Sequence, residues 1–175
     1  MMGHLKRAAI GGVIIFGLAL ASCSTKRPPR VPGSTSQVGR AVSPPDYVAG
    51  AASIDLFVPR AGALAASRSD NARLRVLAGE MAEAHRGLAA QLSLAGRRVN
   101  ALPGARLLPR EEQRLAALEA GYSDSLFLRE MREAHDQSLA LHSAFAARGA
   151  SATLRPVAAN AVQVERSHLA ELRSR

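Results

Sequence analysis

From about residue 46 onward, the apolar positions of this chain recur with a helical period. One seam runs through Leu74, Ala78, Met81, His85, Leu88 and Leu92, in alternating steps of four and three. A second runs through Leu128, Met131, His135, Leu139, His142 and Phe145 or Ala146, and a third through Val157, Ala161, Val164, His168 and Leu172. The spacing predicts four main helices. The first covers residues 46–67, and Pro59 should kink or split it because proline lacks the N–H that a helix needs. The second starts from a Ser69 or Asp70 cap and runs to about Ala95, with Gly96 in the C′ position. Pro109 opens a short connector helix with Glu111 and Glu112 in its first turn, and Gly121 closes it. A helix from Ser123 or Asp124 to about Arg148 follows, then one capped by Ser151 and ending near Arg173. An all-α, up-down four-helix bundle with a short extra connector helix is the economical arrangement.

One hexapeptide occurs twice. Glu80-Met81-Ala82-Glu83-Ala84-His85 returns as Glu130-Met131-Arg132-Glu133-Ala134-His135, identical at five of six positions. Residues i and i+4 share a helix face, so each copy sets a methionine beside a histidine. The two copies point to a duplication of helix pairs. The unusual feature is that His85, His135 and His168 occupy seam positions where leucine is expected. A buried imidazole without a hydrogen-bond partner costs about 1–3 kcal/mol. These rings therefore need partners: one another, flanking carboxylates, water or a metal.

Two readings follow. Two Met-x-x-x-His turns facing each other would offer two nitrogens and two sulfurs, from Met81, His85, Met131 and His135, a set suited to Cu(I). Adding Glu165 and His168 makes a harder set suited to Zn or Fe. The other reading is a self-satisfied polar layer with methionine as filler and no cofactor. A di-iron carboxylate centre needs a Glu-x-x-His on each of two helices, and the chain has one, at Glu165 and His168. No serine lies in a Gly-x-Ser-x-Gly turn, so no hydrolase motif is present and no catalytic residue is assigned.

The N-terminal 45 residues break the helical pattern. Residues 1–22 read as a secretion signal: Lys6 and Arg7, then an apolar run from Ala8 to Leu20, too short to span a bilayer core of about 30 Å. Leu20-Ala21-Ser22-Cys23 resembles the bacterial lipobox, which marks Cys23 for lipidation. Ser24, rather than Asp, after the cysteine implies by the same resemblance an outer-membrane lipoprotein facing the periplasm. Residues 23–45 are a Pro/Arg-rich tether that cannot bury a core. Lys26, Arg27 and Arg30 are placed to meet anionic head groups or cell-wall polymer. Residues 46–175 are the bundle domain.

Composition narrows the class. Aromatics are 3% and the formal net charge is +9, falling to +7 once Lys6 and Arg7 leave with the signal. The arginines are interleaved with glutamates, and there is little aromatic surface for base stacking, so no nucleic-acid partner is expected.

Met81 with His85, then Phe127, Met131 and His135, then His168 before Leu169-Ala170, together resemble the family called domain of unknown function 4142, putative bacterial outer membrane proteins. The resemblance covers roughly residues 46–172. It implies a ferritin-like bundle in the cell envelope and no established activity. Ala84 stands where the family commonly has Asp, which weakens any role needing a carboxylate beside His85, and Gln163 stands where a proline is frequent. The expectation is a lipid-anchored, non-enzymatic protein with a binding or envelope-stress role; the alternative is a periplasmic metal-binding protein.

Overall fold

The computed structural model describes residues 42–175, all of it helix and connecting turns. The signal, Cys23 and nearly all of the tether lie outside the described residues. Five helices follow in order: α1 (Pro44–Arg68), α2 (Ala72–Arg98), α3 (Pro109–Ala120), α4 (Asp124–Arg148) and α5 (Arg155–Arg173).

The helix boundaries follow from local chemistry. Pro44 and Pro45, assigned to the tether by composition, are the first two residues of α1, where a missing N–H costs nothing. Ser43 caps them by accepting from the Asp46 N–H. Pro59 neither splits α1 nor ends it; its missing N–H leaves the Asp55 carbonyl without the usual i+4 donor. Asn71, rather than Ser69 or Asp70, caps α2, its side chain accepting from Arg73 and Leu74. The other end of α2 overruns Gly96. Asn100 takes the left-handed position with φ 53°, and the Ala101 N–H closes back on the Gly96 carbonyl at 2.9 Å. A side chain at 96 would strike that returning backbone. Gly121 and Ser123 behave as the sequence predicts, one ending α3 and the other capping α4.

Neighbouring helices are antiparallel. Asp55 of α1 meets His85 of α2, Tyr47 of α1 meets His142 of α4, Gln91 of α2 meets Asn160 of α5, and Ser138 of α4 meets Glu165 of α5. In chain order the directions are therefore up, down, down, up. Helices α2 and α4 are parallel and diagonally opposed, so residues 99–123 must run back along the bundle to join them. One long crossover is the connectivity of ferritin-like bundles. Helix α3 is built into that crossover. Ser53 donates to Glu111 and accepts from the Leu108 N–H, while buried Arg114 pairs with Glu111, Glu130 and Glu133. Because the repeated hexapeptides sit on the second helix of one hairpin and the first of the other, a duplicated helix pair would not superpose them. The duplication expected from the repeat is not the symmetry of this fold.

Two apolar clusters fill the interior. The basal cluster, at the α1 N-terminal end, includes Tyr47, Leu92, Phe145 and Leu154. The distal cluster includes Phe57, Met81, Phe127, Met131 and Leu172. On α4 and α5 the buried stripe is rotated from the predicted seam: Leu128, Leu139, Val157 and Val164 are half-buried, while Ser138 and Glu165 are inside.

Close approach of α1 and α2 depends on Gly62, where an added Cβ would lie 2.9 Å from the Ala78 carbonyl oxygen. Gly87 faces open space on α2. Gly62→Ala should therefore lower stability by about 1–3 kcal/mol through forced separation. Gly87→Ala should raise it by about 0.4–1 kcal/mol through reduced unfolded-state entropy. Thermal melts of the two variants check the opposite signs.

Candidate metal centre

Between the two apolar clusters lies a polar layer fed by all four main helices. Helix α1 supplies Asp55, α2 His85, α4 His135 and Ser138, and α5 Glu165 and His168. His85, His135 and Glu165 have no exposed surface, and His168 is 8% exposed.

His135 sets the geometry. Its Nδ1–H donates to the Met131 carbonyl at 2.7 Å, and a carbonyl oxygen can only accept. The neutral ring therefore turns an Nε2 lone pair toward the bundle axis. That nitrogen lies 3.3 Å from His85 Nε2 and 3.2 Å from His168 Nδ1. His85 reaches the same point from the diagonal helix, with its Nδ1 2.9 Å from Asp55 Oδ1. When Asp55 is ionised, His85 Nδ1–H donates to it and a second Nε2 lone pair faces inward. His135 meets both other rings edge-on, at 88° for His85 and 71° for His168, while His85 and His168 are tilted by 35°.

Glu165 completes the group. Its Oε1 accepts from Ser138 at 2.7 Å and lies 3.8 Å from His85 Nε2. Its Oε2 is buried without any hydrogen-bond partner, 4.0 Å from His135 Nε2. A proton on His85 Nε2 or His168 Nδ1 can satisfy His135, but neither gives Glu165 Oε2 a partner.

Burial sets the protonation states. It pushes His135 well below the ordinary histidine range and His168 down to about 4, and a proton on His85, when present, adds to both. Both rings are thus neutral near pH 7, the form that ligates a metal. Burial raises Glu165 to about 7, against lowering by His85 and the Ser138 hydrogen bond. Asp55 is also raised by burial, opposed by its hydrogen bond and charge interaction with His85.

The ligand atoms of His85, His135 and His168 all lie within 4.8 Å of one another. A tetrahedral ion with bonds of about 2.0–2.1 Å separates its donors by roughly 3.3 Å. The two short N···N distances meet that spacing, and Glu165 lies alongside, with Oε1 3.8 Å from His85 Nε2 and Oε2 4.0 Å from His135 Nε2. Of the residues singled out in the sequence, His85, His135, His168 and Glu165 come together. Met81 and Met131 pack one turn distally, inside the apolar cluster. The donors gathered at the layer are nitrogen and oxygen. The missing acidic neighbour at Ala84 is made good from another helix by Asp55, which sequence spacing did not reveal. A lone Asp within Ile54-Asp55-Leu56-Phe57-Val58 was the available signal. Ser138 gave none.

A four-helix bundle with one long crossover and a buried histidine–carboxylate centre is the class that fold and site define. Residues 30–174 match the model of the family described as domain of unknown function DUF4142, and the chain belongs to that family. Searches of curated proteins and of solved structures return no match.

His142 forms a separate buried pair on the basal side. Tyr47 O–H donates to its Nδ1 at 3.0 Å, and burial raises the phenol above its ordinary range, so it stays protonated. Burial lowers His142 to about 4. A histidine held neutral in the folded state contributes fully above its unfolded value of about 6.5. That contribution is lost as pH falls from there toward 4. The melting-temperature gap between wild type and His142→Phe should accordingly shift in favour of the variant between pH 6.5 and 4, as read by melts across that range. A gap independent of pH would contradict the assignment.

Proposed function

We propose that this bundle binds one divalent transition metal ion through His85, His135, His168 and Glu165, in a protein tethered by lipidated Cys23 to the periplasmic face of the outer membrane. The supporting observation is the convergence of three imidazole nitrogens beside a buried carboxylate, one oxygen of which has no hydrogen-bond partner. Protons can fill part of this gap; a cation fills all of it. Charge favours a divalent ion, because two positive charges balance the carboxylates of Glu165 and Asp55 in a site where net charge is costly. Imidazole with carboxylate suits Zn, Cu(II), Fe or Ni. Asp55 acts on the metal through His85, fixing its tautomer and orientation. The role is binding rather than catalysis, in keeping with a dry centre closed on most sides by helices.

Two predictions test this reading. Protein purified without chelators, or reloaded with Zn(II) or Cu(II), should hold about one ion per chain by elemental analysis. His135→Ala should abolish binding, and Asp55→Asn should weaken it about 10–100-fold while leaving the stoichiometry unchanged. Wild type should gain about 2.7 kcal/mol of stability at metal concentrations a hundredfold above Kd, and His135→Ala none. Sub-stoichiometric metal together with equal melting shifts in both proteins would overturn the proposal. For the anchor, mass analysis of the mature protein should find acylated Cys23 as its first residue; an unmodified N-terminus elsewhere would overturn it.

A further inference from the structure

Acidic side chains are unevenly distributed between the two ends of the bundle. The basal end collects residues 42–52, 92–102 and 142–158. It carries Arg97, Arg98, Arg148 and Arg155 against one acidic side chain, Asp46. All four arginines are exposed, and none makes a side-chain hydrogen bond or ion pair among the described residues. At the distal end, residues 60–80, 115–132 and 166–175 carry nine arginines interspersed with six acidic side chains, and Arg68, Arg75, Arg129 and Arg173 are engaged with carbonyls or carboxylates. Three of the basal arginines lie at or beside helix C-termini, where cations sit favourably but leave their outer N–H groups free.

The basal end is also apolar where it meets solvent. Leu94 is 56% and Leu102 65% exposed, flanking Arg97 and Arg98. Leu94, Ala95, Arg98 and Val157 line a shallow hollow of about 230 Å³. Free arginines around exposed leucines are the combination that an anionic bilayer surface takes up, with guanidinium on phosphate and leucine at the head-group boundary. The chain from the tether enters at this same end, through Ser43 into α1.

We infer that the basal end of the bundle docks on an anionic phospholipid surface, with Arg97, Arg98, Arg148 and Arg155 contacting phosphates and Leu94 and Leu102 entering the interface. This extends the anchoring part of the reading above and is independent of the metal. An anchor permits such contact without enforcing it, so docking needs the charges of the bundle itself. It also fixes orientation: the bundle stands on the membrane, with the histidine layer about midway up and the distal end outward.

The chain contains no tryptophan, which gives a clean probe. Leu94 and Val76 are both exposed on α2, about 27 Å apart along the helix axis. Full-length Leu94→Trp and Val76→Trp proteins are reconstituted into vesicles of brominated phosphatidylcholine with or without phosphatidylglycerol. Flotation reads anchoring, and bromine quenching of tryptophan reads docking. The expected result is flotation with both vesicles, with quenching at 94 several-fold stronger than at 76 on anionic vesicles only. That difference should vanish at high salt and in the Arg97→Gln, Arg98→Gln, Arg148→Gln, Arg155→Gln variant, which should still float. Flotation with equal quenching at both positions, or none at 94, overturns docking and leaves anchoring intact. A chain that does not float overturns both.

Discussion

The hydrogen bond from His135 Nδ1 to the Met131 carbonyl constrains more of this structure than any other single contact. It is local, four residues apart on one helix, and it fixes the tautomer of a ring with no exposed surface. Everything else at the centre is arranged around the lone pair it frees. His85 arrives from the diagonal helix, His168 from the adjacent one, and Glu165 one turn from His168. Three ring nitrogens and a carboxylate oxygen crowded in a dry interior need protons or a cation between them. The two apolar clusters on either side hold the helices together strongly enough to keep those atoms close.

Connectivity explains why the histidines can meet. The up, down, down, up order makes α2 and α4 parallel and diagonal, so the two copies of the hexapeptide face each other across the axis at the same height. A simple up-down-up-down chain with short loops would make α2 and α4 antiparallel neighbours instead. The crossover that permits it is itself polar inside, held by Ser53, Glu111 and Arg114. Burying that arginine among three carboxylates ties the register of α3 to α4, and with it the height of His135 relative to Asp55.

Much of this could be read from the chain. The all-α class, the connector opened by Pro109 and closed by Gly121, the seam positions of His85 and His135, and the pairing of Glu165 with His168 all follow from period and capping. Other features depend on three-dimensional context. Pro59 reads as a breaker, yet α1 is packed against α2, α3 and α4 and continues through it. Asn100 overrules Gly96 because the backbone returning through Ala101 crowds position 96. The rotation of α4 and α5 that buries Ser138 and Glu165 in place of Leu139 and Val164 comes from satisfying the centre, not from apolar periodicity. Asp55 lies thirty residues from the histidine it supports, and the methionines, adjacent to the histidines in sequence, face the apolar cluster instead.

X-ray absorption at the metal edge of the protein isolated from its native envelope reads the histidine layer itself. A bound first-row metal is expected, with a shell of light donors at about 2.0–2.1 Å, imidazole scattering from three rings, and no sulfur. A sulfur shell, fewer than three imidazoles, or protein that carries no metal and takes none up would contradict that expectation.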